Sequence, residues 1–206
     1  MIEVKNIEVF DLDRAKRAIK NSYNVGEINT LEGEFAKGAK NLGSNMQPCQ
    51  SHDAWLKGVL VSFDIKLNLC TQIELARYHF IEWIMQQSRM HSIEKMISSK
   101  HDCFTKYVDD ETREHIERLY NNYVNSKGTD KQYEAYMKLI HNLPCGIELW
   151  ATCNTNYLQL KTIVIQRFGH QQKEDWMAFI KACYEMSEFR ELCGFTDEKW
   201  NLENWK

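Results

Sequence analysis

The residues of this chain best placed to do chemistry are polar groups set among apolar neighbours. His79, Glu82, Gln86, Gln87 and Ser88 close one apolar stretch, and Asn154, Asn156, Arg167, His170 and Gln172 flank another. A buried polar group needs a hydrogen-bond partner, so groups like these are either satisfied within the fold or held ready for a ligand. Arg167 comes just after Ile163-Val164-Ile165 and before Phe168. A permanent cation in that setting requires an anion or several acceptors: a ligand phosphate or carbonyl, or a structural partner such as Glu148. His79, Glu82 and Gln86 are spaced i, i+3, i+7; on a helix they share one face and can bond one another, which would make a polar helix interface.

The signatures of the common chemistries are absent: no G-x-G-x-x-G after a strand, no Walker loop, no H-E-x-x-H and no G-x-S-x-G. Cys49, Cys70, Cys103, Cys145, Cys153, Cys183 and Cys193 contain no C-x-x-C pair and are odd in number. That fits neither a disulfide framework nor a zinc site, so they read as free thiols and no metal site is expected. The 26 basic and 29 acidic residues sum to −3, which leaves no broad positive field for nucleic acid or an anionic membrane. No apolar run approaches the roughly 20 residues of a membrane-spanning helix, and the N-terminus lacks a signal-peptide layout. A soluble cytoplasmic protein is expected, with neither nucleic acid nor membrane as partner.

The elements that must position these residues follow from periodicity. Residues 1–10 read as a strand, and Asp11 or Asp13 opens a helix through Tyr23. LEGEFAKGAKNL, residues 31–42, can hold a helix despite its glycines, at about 1 kcal/mol for each. Residues 59–67, VLVSFDIKL, alternate as a half-buried strand, and Thr71 with Glu74 forms a capping box ahead of a helix to about Gln87. Two helices are expected over 111–127 and 133–142, the second behind a Thr129/Gln132 capping box. A short apolar piece, residues 147–152, leads to Asn154-Thr155-Asn156, any of which can cap a helix over 157–167, and a last helix covers 176–186. With 206 residues, two prolines and no repeat or linker, the expectation is one domain over 1–206.

Taken in order, several landmarks resemble the flavin-dependent thymidylate synthases. Ser22-Tyr23 ends the first strand–helix unit as in that family, and His52 stands eleven residues before Phe63, like the family's histidine before its central strand. The stretch YHFIEWIMQQSRMH, residues 78–91, lies where the family carries R-H-R-x-x-S-x-N/S-E/Q-x-S-x-R-Y. Leu143-Pro144 resembles the family's Leu-Pro, Asn156 falls twelve residues after Pro144, and Arg167 eleven after Asn156. His170, Gln172 and Glu174 resemble its H-A-Q-x-E with one residue deleted.

The departures are as informative. The signature's flanking arginines are Tyr78 and Phe80, its serine is Trp83, and its closing Arg-Tyr is Met90-His91. Two further family arginines are Leu158 and Ile140. Arg77, Arg89, Lys138, His141 and Lys161 lie close enough in sequence to substitute for them, and Tyr78, Phe80 and Trp83 could form a stacking wall.

The resemblance implies an α+β fold with a mainly antiparallel central sheet and long helices, assembled as a homotetramer with sites between subunits. It implies FAD as cofactor, NADPH and methylenetetrahydrofolate as co-substrates and a pyrimidine mononucleotide as substrate, modified at C5. Arg167 takes the catalytic position, stabilising charge on a pyrimidine carbonyl. His52, Tyr78, His79, Phe80, Gln86, Asn156, Thr162 and His170 take cofactor-binding positions, and Gln86, Gln87, Ser88, Arg89 and Arg167 substrate-binding ones. The resemblance leaves the base open between uracil and cytosine and the product between methyl and hydroxymethyl. The loss of at least four cations allows an inactive descendant that binds nucleotide or flavin, and a chance agreement of the landmarks would leave an unrelated helical interaction protein.

Overall fold

The structure, a computed structural model, describes residues 1–36, 38–44, 52–99 and 102–205. Along the chain run β1 (Glu3–Phe10), α1 (Leu12–Ala18), α2 (Ala39–Gly43), β2 (Leu60–Asn68), α3 (Leu69–Leu75), β3 (Glu82–Gln86) and α4 (Arg89–Ser98). They are followed by α5 (Asp110–Ser126), α6 (Gln132–His141), β4 (Glu148–Asn156), α7 (Tyr157–Arg167), α8 (Lys173–Tyr184) and α9 (Phe189–Cys193). The strands form one sheet in the order β1-β2-β4-β3, antiparallel at every pairing. This is the α+β architecture expected from the sequence.

One face of the sheet builds the core. Val61, Phe63, Ile65 and Leu67 of β2 stand opposite Thr155, Cys153, Ala151 and Leu149 of β4, and all eight are buried. The intervening residues, among them Leu60, Ser62 and Asn154, face the other way and are wholly or partly exposed. Along β1 and the residue before it, the apolar pairs Ile2/Val4 and Ile7/Val9 are out of phase by one residue. A bulge between Lys5 and Glu8, with Asn6 at φ 52°, absorbs the extra residue and keeps both pairs packed against the core.

Helix α7 is buried on most sides, seven of its eleven residues being inaccessible, so its polar residues are committed to partners or to a cavity. Lys161 is an example of the first kind: its Nζ donates to Asp53 Oδ2 at 3.0 Å and to the Gly43 carbonyl at 2.7 Å. That makes it a core ion pair rather than a replacement for a lost ligand-binding arginine. A second, smaller core of Ile93, Ile116, Tyr123, Leu139 and Ile147 joins α4, α5 and α6 to the start of β4.

The long helix expected over 71–87 does not form. Asn68, not Thr71, is the cap, its side chain accepting from the Thr71 amide at 3.0 Å, and the helix ends at Leu75. The Thr155 hydroxyl then bonds the Phe80 carbonyl at 2.8 Å and the Gln159 side chain accepts from the Phe80 amide at 3.4 Å, pinning residues 77–81 in a turn. Beyond it Glu82–Gln86 pairs with the free edge of β4, where a Trp-Ile-Met run suits a strand once an edge is on offer. His79, Glu82 and Gln86 therefore share no helical face.

Other boundaries shift less. Residues 31–36 are not helical, and the helix of that region is the short α2; Lys37 lies outside the described residues. The Thr129/Gln132 box is replaced by Gln132 reaching back to the Gly128 amide at 2.8 Å. The apolar piece 147–152 is the larger part of β4, central in the sheet. The six described cysteines are free thiols; Cys49 lies outside the described residues.

Candidate functional site

One side of α7 and the turn after α3 face each other across a cavity of about 550 Å³ lined by Arg77, Tyr78, His79, Phe80, Gln159, Thr162, Gln166 and Arg167. Gln159, Thr162 and Gln166 are spaced i, i+3, i+7 and so project from one side of α7. Asn156 sets the register of that helix by accepting from the Gln159 amide at 2.9 Å. The opposing turn is held by the hydrogen bonds to the Phe80 amide and carbonyl described above, so both walls are fixed by side chains bonded to backbone groups.

Arg167 is the most heavily partnered group in the cavity. Its Nε donates to the Tyr78 hydroxyl at 3.0 Å, and its Nη1 to Glu74 Oε2 at 2.7 Å. The guanidinium also lies over the Trp176 ring, 4.7 Å from its centre. Tyr78 passes the network on by donating to Gln166 Oε1 at 2.9 Å. Burial raises the Tyr78 phenol above its ordinary pKa against the lowering pull of Arg167, so it serves as a neutral donor. His170 completes the cluster: its Nδ1 accepts from the Gln172 amide at 3.2 Å, and its Nε2 lies 3.5 Å from Glu74 Oε2. The partner of Arg167 is thus Glu74 and not Glu148, which instead holds the N-terminal ammonium at 2.7 Å.

Of the residues singled out in the sequence, Arg167, Tyr78, His79, Phe80 and Thr162 meet in this cavity, with His170 beside it. The others lie elsewhere. Gln86 accepts from Gln72 at 2.7 Å, and Gln87 exchanges hydrogen bonds with the Trp150 backbone at 2.9 and 3.0 Å, finishing the β3–β4 ladder. Ser88 caps α4, accepting from the His91 amide at 3.3 Å, and Arg89 is that helix's first residue; both are exposed. Asn156 also borders a second cavity, of about 520 Å³, on the open face of the sheet. His52 is exposed, ahead of the 3-10 turn Ala54–Gly58, and lines neither cavity. Trp83 packs against the main core, so the stacking wall reduces to Tyr78 and Phe80.

Sequence reasoning missed Glu74, Gln159, Gln166 and Trp176. The i, i+3, i+7 spacing of the α7 residues was a usable signal. Glu74 gave none, since its role depends on the helix ending one residue later.

A planar ring with carbonyl and N–H edges suits these walls. Phe80 is 62% exposed and offers a stacking face, while Thr162 and the two glutamines offer hydrogen bonds. Arg77 supplies a cation that makes no ion pair among the described residues.

The fold is that of the flavin-dependent thymidylate synthases. It is shared with thymidylate synthase X from Helicobacter pylori, solved with FAD and dUMP, at TM-score 0.66 and 12% identity, covering 94% of this chain and 97% of the other. A second structure of that Helicobacter pylori enzyme, also with FAD and dUMP, gives TM-score 0.62 at 13% identity, covering 93% and 96% of the two chains. The UMP/dUMP methylase PolB from Streptomyces cacaoi, bound with 5-Br dUMP, gives TM-score 0.62 at 11% identity over 95% of each chain. At these identities the likeness is one of fold. No protein-family model and no curated protein sequence matches the chain.

Proposed function

We propose that this chain is a flavin-dependent enzyme that transfers a one-carbon unit from methylenetetrahydrofolate to C5 of a pyrimidine mononucleotide, with FAD as cofactor and NADPH as reductant. The observation that carries the reading is Arg167, a largely buried cation lining a polar and aromatic cavity, on a fold whose solved examples include a thymidylate synthase and a UMP/dUMP methylase. Developing negative charge on a pyrimidine is stabilised by donors already fixed in place. Arg167 meets that requirement because Tyr78, Glu74 and Trp176 hold it on three sides.

The flavin, when bound, supplies the hydride and one-carbon chemistry. The chain's own part is to bind and orient: Phe80 stacks a ring, Thr162 and Gln159 read its edge, Tyr78 keeps Arg167 aimed, and Arg77 meets a phosphate. Gln86, Ser88 and Arg89 lie apart from this cavity within one chain. They contribute to it if subunits assemble as a homotetramer with sites between them, as the resemblance implies.

Purified protein should be yellow and should release tritium from C5-labelled dUMP when given FAD, NADPH and methylenetetrahydrofolate. Colourless protein that binds neither flavin nor nucleotide at saturating concentrations rejects the proposal. A binding-only reading is favoured by one observation, the neutralisation of Arg167 by Glu74. It would show as flavin or nucleotide binding without tritium release.

A further inference from the structure

A second region carries chemistry that the proposed reaction does not use. At the base of the sheet, where β2 runs into α3 and a turn leads into β4, the Leu69 amide donates to the Cys145 carbonyl at 3.0 Å. Asn68 and Glu148 are cross-strand partners there, so the two segments are held side by side. Cys70 and Cys145 occupy this junction, and both are exposed, whereas Cys103, Cys153, Cys183 and Cys193 are buried. The backbone bond sets residue 145 beside residues 69 and 70, close enough that Cys145 helps to raise the Cys70 pKa.

We propose that Cys70 and Cys145 are an oxidation site, converted by a low-molecular-weight disulfide such as oxidised glutathione into a reversible intrachain disulfide. The Cys145 thiolate attacks one sulfur of the glutathione disulfide, that S–S bond breaks, and one glutathione leaves as thiolate. Cys70 then gives up its proton, attacks the Cys145 sulfur and expels the second glutathione. Two protein thiols are oxidised, one glutathione disulfide is reduced to two thiols, and the two protons released pass to the departing thiolates. Partial desolvation and the neighbouring thiol raise the Cys70 pKa, which suits Cys70 to the second, resolving step.

The bond has a structural consequence. It sits at the edge of a cavity of about 650 Å³ lined by Cys70, Pro144, Gly146, Thr105 and Gln172 among others. The loop it closes contains β3 and α4 to α6, so it ties the smaller core to the base of the sheet. Closing so long a loop removes entropy from the unfolded chain.

The test is to incubate the full chain with oxidised glutathione, alkylate the remaining thiols and map the peptides by mass spectrometry. The expected result is one cross-link, Cys70 to Cys145, and a thermal midpoint raised by roughly 5 °C or more that falls back with dithiothreitol. Cys70→Ser and Cys145→Ser, with alanine versions should serine disturb folding, should each leave glutathione on the remaining thiol. A wild-type chain that stays reduced, keeps separate glutathione adducts on the two cysteines, or links through Cys49 instead overturns the proposal. None of these readouts depends on flavin or nucleotide, so the site stands or falls apart from the proposed reaction.

Discussion

Arg167 has five N–H donors, of which Nε is taken by Tyr78 and one Nη1 hydrogen by Glu74. Among the described residues nothing takes the other three, and the two in use set the plane in which those three lie. Arg167→Ala should therefore lower kcat by about 100- to 1,000-fold, the usual cost of one lost oxyanion donor, with the far-UV circular dichroism unchanged. Glu74 acts in the opposite sense on charge, because a carboxylate 2.7 Å away competes with any anion for the same guanidinium. Glu74→Gln keeps an acceptor for Nη1 while removing the competing charge. The expected result is dUMP binding tighter by about tenfold, or about 1.4 kcal/mol, by calorimetry at low salt; unchanged affinity would place the nucleotide away from Arg167. That Arg167 would be tied to an acceptor was legible in the sequence, because a cation after an apolar run requires one. Its true partner was not, because the choice between Glu148 and Glu74 depends on where a helix stops.

The elements divide by how far local sequence decides them. The expected range of α7 matches the structure at both ends, because Asn156 caps it and Gly169, at φ 83°, follows it closely. The segment after Thr71 was misread because its apolar residues fit a helix as well as a strand. The decision was made by contacts from α7 and β4 that no local pattern contains. Similar long-range wiring meets at Asp175, in the first turn of α8. Its carboxylate accepts from the Ile2 amide, the Asn68 side chain and the Thr71 hydroxyl, each at 2.9 Å, joining β1, β2 and α3 to α8. Asp175→Ala strands three donors at once. It should lower unfolding free energy by about 2–4 kcal/mol in denaturant titration, below the sum of three separate losses because the group acts as one unit. Asp175→Asn, which keeps one acceptor, should recover part of the loss.

For the whole molecule, buried acids and the open sheet face make separate predictions. Burial raises the pKa of Tyr78, Tyr157 and Tyr184, that of Cys153 to about 12, and those of Cys183 and Cys193 as well. These groups ionise more readily in the unfolded chain, so their contribution is intact below the ordinary thiol and phenol values and is lost as pH rises past them. Chemical-denaturation midpoints should hold level to about pH 8 and fall steeply above about pH 10, and a flat profile would contradict that burial. The open face of the sheet presents Phe10, Leu60, Phe80, Ile84 and Met85, each at least 46% exposed, with Asn154 and Asn156 between them. Large apolar side chains gathered on one face mark an interaction surface more often than bare solvent exposure. Phe80 belongs to both this face and the cavity of Arg167, so covering the one completes the wall of the other. If assembly as a homotetramer covers it, Leu60→Asp with Ile84→Asp should yield a smaller, folded species in sedimentation and lose flavin binding together with assembly. A double variant that keeps its oligomeric state would place the subunit contacts elsewhere. One that dissociates yet still binds flavin would show that each chain holds a complete site.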